Sequence, residues 1–280
     1  MKSSMRITTK FHALAMRFCC LNLLLLFKLN GVTIPKNLEK AKYITIAKCN
    51  DGFGSQLQRR MSAIAFAIAH NKEYVHRPFV KVDHNYKKNP QFPQQMEYFA
   101  NIGCEFLQTH AFNKQDLYTR IDYSNYIDQN IDKYYTPEVL SFFRKNYYST
   151  PKPLISYFEK ERINVAVHVR RGDIVNQRPI VRWMPDSHYL KVMNTIRKIH
   201  PKAKFYVYSE GKAKNFKKFQ ANDVELHLDE DIKATFHALV TADILITSKG
   251  AFSYTAALLS EGIIYHTKYQ NAKLAHWIKI

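Results

Sequence analysis

The sequence of 280 residues has few cysteines and no long apolar run. Its cysteines, Cys19, Cys20, Cys49 and Cys104, form no CxxC pair, and none lies at ligand spacing from a histidine cluster. The sequence therefore indicates neither a zinc site nor a disulfide framework. We expect a protein without a metal or another resident cofactor.

The main apolar stretch, residues 18–27, ends at Lys28 and is too short for a membrane-spanning helix, which needs about 20 apolar residues. Basic residues precede this stretch, and no small-residue cleavage site follows it. A signal anchor, a signal peptide and an irregular leader all stay open for residues 1–40. The cellular location of the protein is open for the same reason. It is either membrane-associated, through this N-terminal segment, or cytoplasmic.

The sequence also lacks a nucleic-acid-binding motif, although its net charge is +19. Residues 161–280 carry 19 basic and 11 acidic residues, a balance of +8, which leaves +11 on the first 160 residues. Because the excess is spread over the chain, a solvated lysine-rich surface explains it, and we expect no nucleic-acid partner. A small substrate that carries phosphate groups would also be attracted to such a protein.

The first half of the chain contains one clear strand–loop–helix unit. Residues 43–47 predict a strand, residues 50–54 a glycine-containing turn, and Ser55 the N-cap of a helix. The helix itself is predicted by apolar residues at helical spacing, namely Leu57, Met61, Ile64 and Ile68. Later in this half, Thr136 and Pro137 predict the cap and first turn of another helix.

The second half alternates between strands and helices, which predicts a parallel sheet covered on both faces. The predicted strands are residues 163–169, 204–209, 224–229, 243–247 and 263–266. Pro151 and Pro153 look like the junction between the halves. The expected organisation is α/β, with a leader (1–40) and two Rossmann-like domains (41–155 and 156–280) that face each other across a cleft.

The segment His168-Val169-Arg170-Arg171-Gly172-Asp173 follows a strongly apolar strand. Alternation places His168 and Arg170 on one face, at the carboxyl end where open α/β sheets bind ligands. The guanidinium groups of Arg170 and Arg171 suit bidentate binding of phosphate. The alternative is structural: His168 is a core histidine, the arginines pair with Asp173 and a neighbour, and Gly172 only forms a turn.

Other polar groups are expected at the same edge of the sheet, where Glu210, Asp229 and Ser248 follow three more strands. The backbone amides of Ala251 and Phe252 would open a helix and so favour a bound phosphate, unless this small-residue helix only packs against the sheet. The alternative interpretation of Glu210 is a simple surface carboxylate.

The loop Gly52-Phe53-Gly54 lacks the third glycine of a dinucleotide fingerprint, because Leu57 stands at that position. Close approach of its backbone to a sugar phosphate and an ordinary turn both stay open. In the first case Gln56 and Arg59 would border the cleft.

Three segments resemble the fucosyltransferase superfamily, which includes α1,2-, α1,6- and protein O-fucosyltransferases. His168–Asp173 resembles its HxRRxD signature, Gly52–Gln56 resembles its GFGNQ-type loop, and residues 248–257 resemble the SSFSYxAA-type segment of the α1,2 branch. Lys249 and Gly250 depart from the last pattern, and Ser209-Glu210 replaces the usual Ser-Asp.

The resemblance implies a GT-B-like fold and metal-free, inverting transfer of fucose from GDP-fucose to a glycan acceptor. By motif, Arg170 and Arg171 would hold the diphosphate and His168 would contact the nucleotide. Ser209 and Glu210 would lie near the guanine or ribose, and Ser248 and Ser253 would bind phosphate oxygens.

An inverting displacement is helped by a base near the acceptor hydroxyl. Asp173 is the first candidate, with Asp51 and Asp186 as weaker ones. Alternatively, Asp173 orients Arg171 or caps the segment that follows it. Transfer of a sugar other than fucose, and a non-catalytic carbohydrate- or polyanion-binding module, are the other functional hypotheses.

Overall fold

The computed structural model describes residues 36–106, 108, 117–120, 123–174, 182–268 and 271–280. Within these ranges, no helix is both long enough and apolar enough to cross a membrane. The predicted apolar stretch at residues 18–27 lies outside the described residues, so its fate stays a prediction.

The first half of the described chain builds a small parallel sheet in the order β2-β1-β3. The strands are β1 (Tyr43–Ile46), β2 (Glu73–Tyr74) and β3 (Leu117–Arg120). The helices are α1 (Lys36–Lys40), α2 (Phe53–Ala69), α3 (Phe92–Ala100), α4 (Ser124–Ile127), α5 (Ile131–Tyr134) and α6 (Pro137–Tyr148). Helix α2 packs on β1 and is buried over most of its length within the core of this half.

The two predicted helix starts in this half have different outcomes. The prediction for α6 is confirmed, because the Thr136 hydroxyl accepts a 3.4 Å bond from the Val139 amide and Pro137 fills the first helical position. The predicted N-cap at Ser55 is wrong. Helix α2 begins three residues earlier than predicted, at Phe53, with extended Gly52 as N-cap and no side-chain cap. The turn predicted at residues 50–54 is therefore partly helix.

The second half builds a larger parallel sheet with the order β6-β5-β4-β7-β8-β9 among the described residues. Its strands are β4 (Asn164–His168), β5 (Lys204–Ser209), β6 (Val224–Leu228), β7 (Ile244–Ile246), β8 (Ile263–His266) and β9 (Ile278–Lys279). Counted from β4, this order is 3-2-1-4-5-6, the Rossmann order. From β4 the chain adds strands first on one side, toward β6, and then on the other side, beginning with β7. Sheets of this kind bind their ligands at the point between β4 and β7 where the order reverses.

Helices cover both faces of this sheet. They are α7 (Asp186–Ile199), α8 (Ile232–Thr241) and α9 (Ala251–Leu259), with 3-10 turns at Gly172–Ile174 and Ala213–Phe219. The alternation predicted for the first strand is confirmed: Val165 and Val167 pack with α7, whereas Ala166 packs on the opposite face with α8 and α9. His168 and Arg170 continue that second face, toward the first half of the chain.

A continuous buried core joins the two halves. The ring of Phe53, at the start of α2, lies 5.2 Å from that of Phe236 in α8, and Phe236 lies 5.3 Å from Phe252 in α9. In sequence, the strands of the small sheet precede residue 155 and those of the large sheet follow it. The aromatic contact packs the two halves against each other. The division into domains 41–155 and 156–280 stays a prediction.

Candidate active site

A cavity of about 590 Å³ lies between the two sheets, at the carboxyl ends of β4, β5 and β6. One wall comes from the second half and includes His168, Arg170, Glu210 and Asp229. The opposite wall comes from the start of α2 and from the segment between residues 84 and 95. The cavity therefore occupies the position that the strand order predicts for a ligand.

The N-termini of two helices meet at this cavity. Residues 52–55 at the start of α2 and 250–252 at the start of α9 line it. Gly54 lies so close to α9 that a Cβ there would be 2.5 Å from the Phe252 nitrogen. Each helix start has backbone N–H groups without intrahelical acceptors and carries a partial positive charge. Two such ends side by side form a favourable site for an anion.

Arg170 lies beside the start of α9 and is held in place mainly by its own segment. Its guanidinium forms two bonds with the Asp173 carboxylate, of 3.2 Å and 2.6 Å, and a third of 3.3 Å with the Lys249 carbonyl. Since an arginine has five N–H donors, two remain for a ligand. Gly250 leaves the room that this needs, because a Cβ there would be 2.4 Å from Arg170 Nη1.

Arg171 has a different environment. Its guanidinium bonds to the Arg170 carbonyl at 2.8 Å and to Asp186 at 2.5 Å, and it stacks on the Trp183 ring at 3.8 Å. Only 8% of the residue is exposed. Adjacent residues of an extended segment point to opposite sides, so one arginine faces the cavity and the other holds the loop.

His168 is half-buried behind Arg170. Its Nδ1 lies 2.7 Å from Ser248 Oγ, which bridges the ends of β4 and β7, and its ring contacts that of Phe252. Burial, reinforced by the charge of Arg170, lowers the pKa of His168 to about 3. The imidazole is therefore neutral at physiological pH.

An acidic group of side chains forms the far end of the cavity, where β5 and β6 end. Glu210 accepts a 2.9 Å bond from the Tyr86 hydroxyl, which reaches across from the first half of the chain. Asp229 accepts a 2.9 Å bond from the Gly211 amide. Gly172, at φ +54°, makes room for Glu210, since a Cβ there would collide with its carboxylate. Carboxylates here suit the N–H and O–H donors of a nucleoside.

A second cavity, of about 420 Å³, lies at the opposite edge of the large sheet, where β7 and β8 begin. Asp243, Glu261 and Tyr148 are among its lining residues, and none of the described residues that line it is basic. The first cavity, which is lined by Arg170, suits a phosphate-bearing ligand better and is therefore the candidate active site.

The sequence matches the family model described as Glycosyl transferase family 11 over residues 118–275, which is 158 of the 280 residues. The chain belongs to glycosyl transferase family 11. It is therefore a glycosyltransferase, and the resemblance to the fucosyltransferase superfamily is confirmed. The two Rossmann-type sheets with a cavity between them also confirm the predicted α/β, GT-B-like fold.

Solved structures similar to this family 11 protein include POFUT1 in complex with GDP, at 12% identity and a TM-score of 0.40 over 79% of this chain and 96% of that one. POFUT1 in complex with GDP-fucose has 13% identity and a TM-score of 0.41, over 83% and 97%. NodZ α-1,6-fucosyltransferase co-crystallised with GDP has 13% identity and a TM-score of 0.40, over 81% and 96%. Similarity this distant carries no argument. No curated protein sequence matches the chain.

The cavity of this family 11 protein brings most of the predicted site residues together. Its lining includes Gly52, Phe53, Gly54, His168, Arg170, Arg171, Asp173, Ser209, Glu210, Asp229, Ala251 and Phe252. Three of these are mainly engaged elsewhere. The Arg171 guanidinium pairs with Asp186, Phe53 is 1% exposed within the aromatic core, and the Ser209 hydroxyl bonds the Val169 carbonyl at 2.5 Å.

Three predicted binding residues lie beneath the cavity lining. The Gln56 amide donates to the carbonyls of Asp51 and Lys81 and so fixes the loop before α2. Ser248 contacts His168, and the fully buried Ser253 accepts a bond from the Ser248 amide. These side chains bond to neighbouring protein groups and so hold the segments around the cavity, and their predicted role in ligand binding stays a prediction.

The weaker base candidates lie outside the cavity lining as well. Asp51 pairs with Arg59 at 2.8 Å, and Asp186 pairs with Arg171. None of Asp51, Arg59 and Asp186 is among the described residues that line the cavity. Asp173 does line the cavity, but both its oxygens face Arg170. The arginines therefore form the structural pairs considered as the alternative, with Asp173 and with Asp186. These pairs exist beside the cavity and do not exclude it.

Sequence reasoning missed the wall contributed by the first half. That wall includes His84, Asn85, Tyr86, Lys87, Asn89, Phe92 and Gln95. The segment has no motif, and the only local signal is its asparagines beside Pro90, which favour turns. Their side chains indeed make turn bonds, as in the 2.9 Å bond from the Asn89 amide to Asn85 Oδ1. The Glu230-Asp231 pair after β6 was missed too.

A cluster of potential metal ligands, His76, Glu97 and Cys104, lies away from the cavity. Both oxygens of Glu97 are already bound by the fully buried Arg60, at 2.7 Å and 2.9 Å. Burial would raise the pKa of Glu97, but the charge of Arg60 outweighs it and the pKa is lowered to about 2. A divalent cation would lie against this guanidinium, so the cluster fits a structural ion pair better than a metal site.

Proposed function

We propose that the chain transfers fucose from GDP-fucose to a glycan hydroxyl, by an inverting displacement of α1,2 type. The observation that carries the proposal is Arg170, which lines the cavity at the carboxyl end of β4 beside the N-termini of α2 and α9. Membership of family 11 and the SSFSYxAA-like segment at residues 248–257 support the donor and the linkage.

The diphosphate would lie between Arg170 and the two helix N-termini. In glycosyl transfer the leaving group gains negative charge as the sugar centre becomes oxocarbenium-like. Preorganised N–H donors stabilise that charge without having to reorganise. Arg170 has two N–H groups left for this purpose, and residues 251 and 252 contribute backbone amides.

The nucleoside would occupy the acidic end of the cavity. Glu210 and Asp229 can accept hydrogen bonds from the N–H groups of guanine or the hydroxyls of ribose. The acceptor glycan would then lie along the wall formed by Tyr86, Phe92 and Gln95, where aromatic faces and an amide suit a sugar.

Asp173 was the first candidate for the base that activates the acceptor hydroxyl. Both oxygens of the Asp173 carboxylate accept bonds from the Arg170 guanidinium, so the carboxylate is directed at Arg170 and not at an acceptor hydroxyl. We therefore propose that Asp173 orients Arg170 rather than accepting the proton. This differs from the orienting role considered from sequence, which concerned Arg171.

The central test is turnover of a panel of nucleotide sugars with galactosides and peptides as acceptors. We expect GDP-fucose to be the donor. Arg170→Lys should lower kcat/KM by about 10- to 150-fold, because a bidentate charged bond worth about 1.5–3 kcal/mol becomes a point contact. Arg162→Lys, just before β4 at its other end and paired with half-buried Glu159, is the matched control and should keep full activity.

The panel also separates the other hypotheses. Turnover of a different nucleotide sugar would keep the transferase and change its donor. A protein that turns over no donor, binds heparin or RNA with a steep salt dependence, and is not competed by GDP would instead be a binding module. Wild-type activity in a folded Arg170→Lys variant would remove Arg170 from the mechanism.

We expect transfer to be independent of a metal ion, because positive groups of the protein would take the place of a metal at the leaving diphosphate. Transfer should proceed at an unchanged rate in EDTA, because Arg170 and the helix N-termini supply the positive charge. The measurement is the initial rate with and without chelator. Loss of activity that manganese restores would show that the diphosphate needs a metal.

A further inference from the structure

Ser248 and Ser253 form a buried pair behind His168, at the point where the sheet order reverses. Ser248 follows β7 and Ser253 lies in the first turn of α9, with exposed fractions of 3% and 0%. The Ser253 hydroxyl oxygen accepts a 3.1 Å bond from the Ser248 amide, and the two hydroxyl oxygens are 3.5 Å apart. Ser248 Oγ in turn lies 2.7 Å from His168 Nδ1.

We propose that this serine pair fixes His168 as the tautomer with its proton on Nε2, which makes Ser248 a positioning residue for the neutral hydrogen-bond donor in the cavity wall.

The direction of the chain follows from hydrogen-bond accounting. A fully buried hydroxyl has to donate its proton, and within the described residues Ser248 Oγ is the acceptor found for Ser253. The Ser248 hydroxyl must then donate elsewhere, and Nδ1 of His168 is within reach at a distance typical of a hydroxyl donor. An Nδ1 that accepts a bond carries no proton.

The charge state of His168 completes the argument. Burial and the neighbouring Arg170 lower its pKa to about 3, so the ring holds one proton at physiological pH. With Nδ1 occupied as an acceptor, that proton is on Nε2. Nε2 has no protein partner among the described residues and is not among their buried unpartnered atoms, while the ring lines the cavity. His168 therefore offers a donor, and it is excluded as a general base.

The functional part of this inference rests on the proposed function: the Nε2–H would contact a diphosphate or sugar oxygen of the donor. The tautomer itself does not depend on the substrate. The two parts can therefore be tested separately, and failure of the transferase proposal would leave the structural part standing.

The tautomer is measured by two-bond 1H–15N correlation spectra of the full chain labelled with 15N-histidine. His168→Gln identifies the signal of His168 among the 12 histidines. We expect a protonated Nε2 and an unprotonated Nδ1 in the wild type. Ser248→Ala should disturb this pattern, and Ser248→Thr, which keeps the hydroxyl, should restore it. Ser62→Ala, which removes another buried hydroxyl bonded to Tyr135, should leave it unchanged.

Kinetics provide the second readout. Ser248→Ala should lower kcat for the accepted nucleotide sugar by roughly 2- to 10-fold, the value of one hydrogen bond, with Ser248→Thr close to wild type. A protonated Nδ1 in the wild-type spectrum would overturn the proposal even if Ser248→Ala failed to fold. An unchanged His168 pattern in a folded Ser248→Ala protein would overturn it as well.

Discussion

Neighbouring arginines in one short motif have two different tasks here, and the backbone decides which arginine has which. Arg170 follows the alternation of β4 toward the cavity, whereas Arg171 turns aside to Asp186 and Trp183. The sequence predicted the alternation, because the apolar residues of the strand reveal it. It could not identify Asp186 as the partner of Arg171, since that pairing depends on how α7 packs against the sheet.

The same limit applies to the serines. The position of Ser248 at the end of a strand could be predicted, and so could the helix that contains Ser253. The direction of their hydroxyl groups could not be, because it depends on the 2.7 Å approach of His168 from a neighbouring strand. Residue types that suit phosphate binding suit a buried hydrogen-bond chain equally well.

Gly172 provides a prediction at this scale. Gly172→Ala should weaken binding of GDP, because the new Cβ would collide with Glu210 and displace its carboxylate from the cavity wall. Part of the effect is backbone strain, since φ is +54° and a non-glycine residue there costs about 1 kcal/mol or more. Isothermal titration with GDP measures the affinity, and urea unfolding measures the stability.

Gly211→Ala is the matched control for strain. Gly211 also has a positive φ, of +121°, but the nearest atom to its Cβ position is 3.8 Å away, in the Phe216 ring. This variant should lose stability and keep GDP affinity. If both variants bound GDP as the wild type does, the geometry of Glu210 would have no part in recognition.

Among the elements, the contact between the first turns of α2 and α9 matters most for the site. It brings two positive helix ends to one cavity and ties the halves of the chain together. The helical spacing predicted α2, but the strand–loop–helix pattern placed its start three residues late. Ser55 looked like an N-cap by residue type, whereas Gly52 takes that position because the chain is extended there.

Gly54 is the basis of a prediction for this junction. Alanine stabilises a helix relative to glycine by about 1 kcal/mol, yet Gly54→Ala should destabilise the protein. A Cβ at Gly54 would be 2.5 Å from the backbone of Phe252, and two helix backbones cannot yield as a flexible side chain can. We expect a lower free energy of unfolding together with weaker GDP binding, measured by urea unfolding and titration.

Ser55→Ala is its control, one residue further along the same turn. Because the Ser55 side chain makes no capping bond, this change should leave the free energy of unfolding within about 0.5 kcal/mol of wild type. A loss as large as that of Gly54→Ala would mean that the start of α2 depends on Ser55 after all.

At the scale of the whole molecule, the sequence predicted the larger sheet better than the smaller one. Five of its strands were predicted from their apolar residues and from the helix-like segments between them. The predicted bounds of β5 and β8 are the observed ones. Strands β2 and β9 have two residues each, too few to show a period. The cavity wall from residues 84–95 is loop and short helix, whose position depends on packing rather than on local pattern.

Buried histidines give the molecule a predicted sensitivity to acid. Burial lowers the pKa of His237 and of His266 to about 4, from an ordinary value of 6.5. Because the unfolded chain takes up these protons first, their stabilising contribution is complete above about pH 6.5 and is lost as the pH falls toward 4. Each shift corresponds to at most about 3 kcal/mol, a large part of a typical folding free energy.

Urea unfolding at about pH 7, 5.5 and 4.5 should therefore show a free energy of unfolding that falls steeply as the pH is lowered. His237→Gln removes one of the titrating groups along with its bond to Tyr147, so it should be less stable at neutral pH but have a shallower pH dependence. His276→Gln, a change at an exposed histidine, should keep the wild-type slope. Equal slopes in all three proteins would mean that His237 does not contribute to the acid sensitivity.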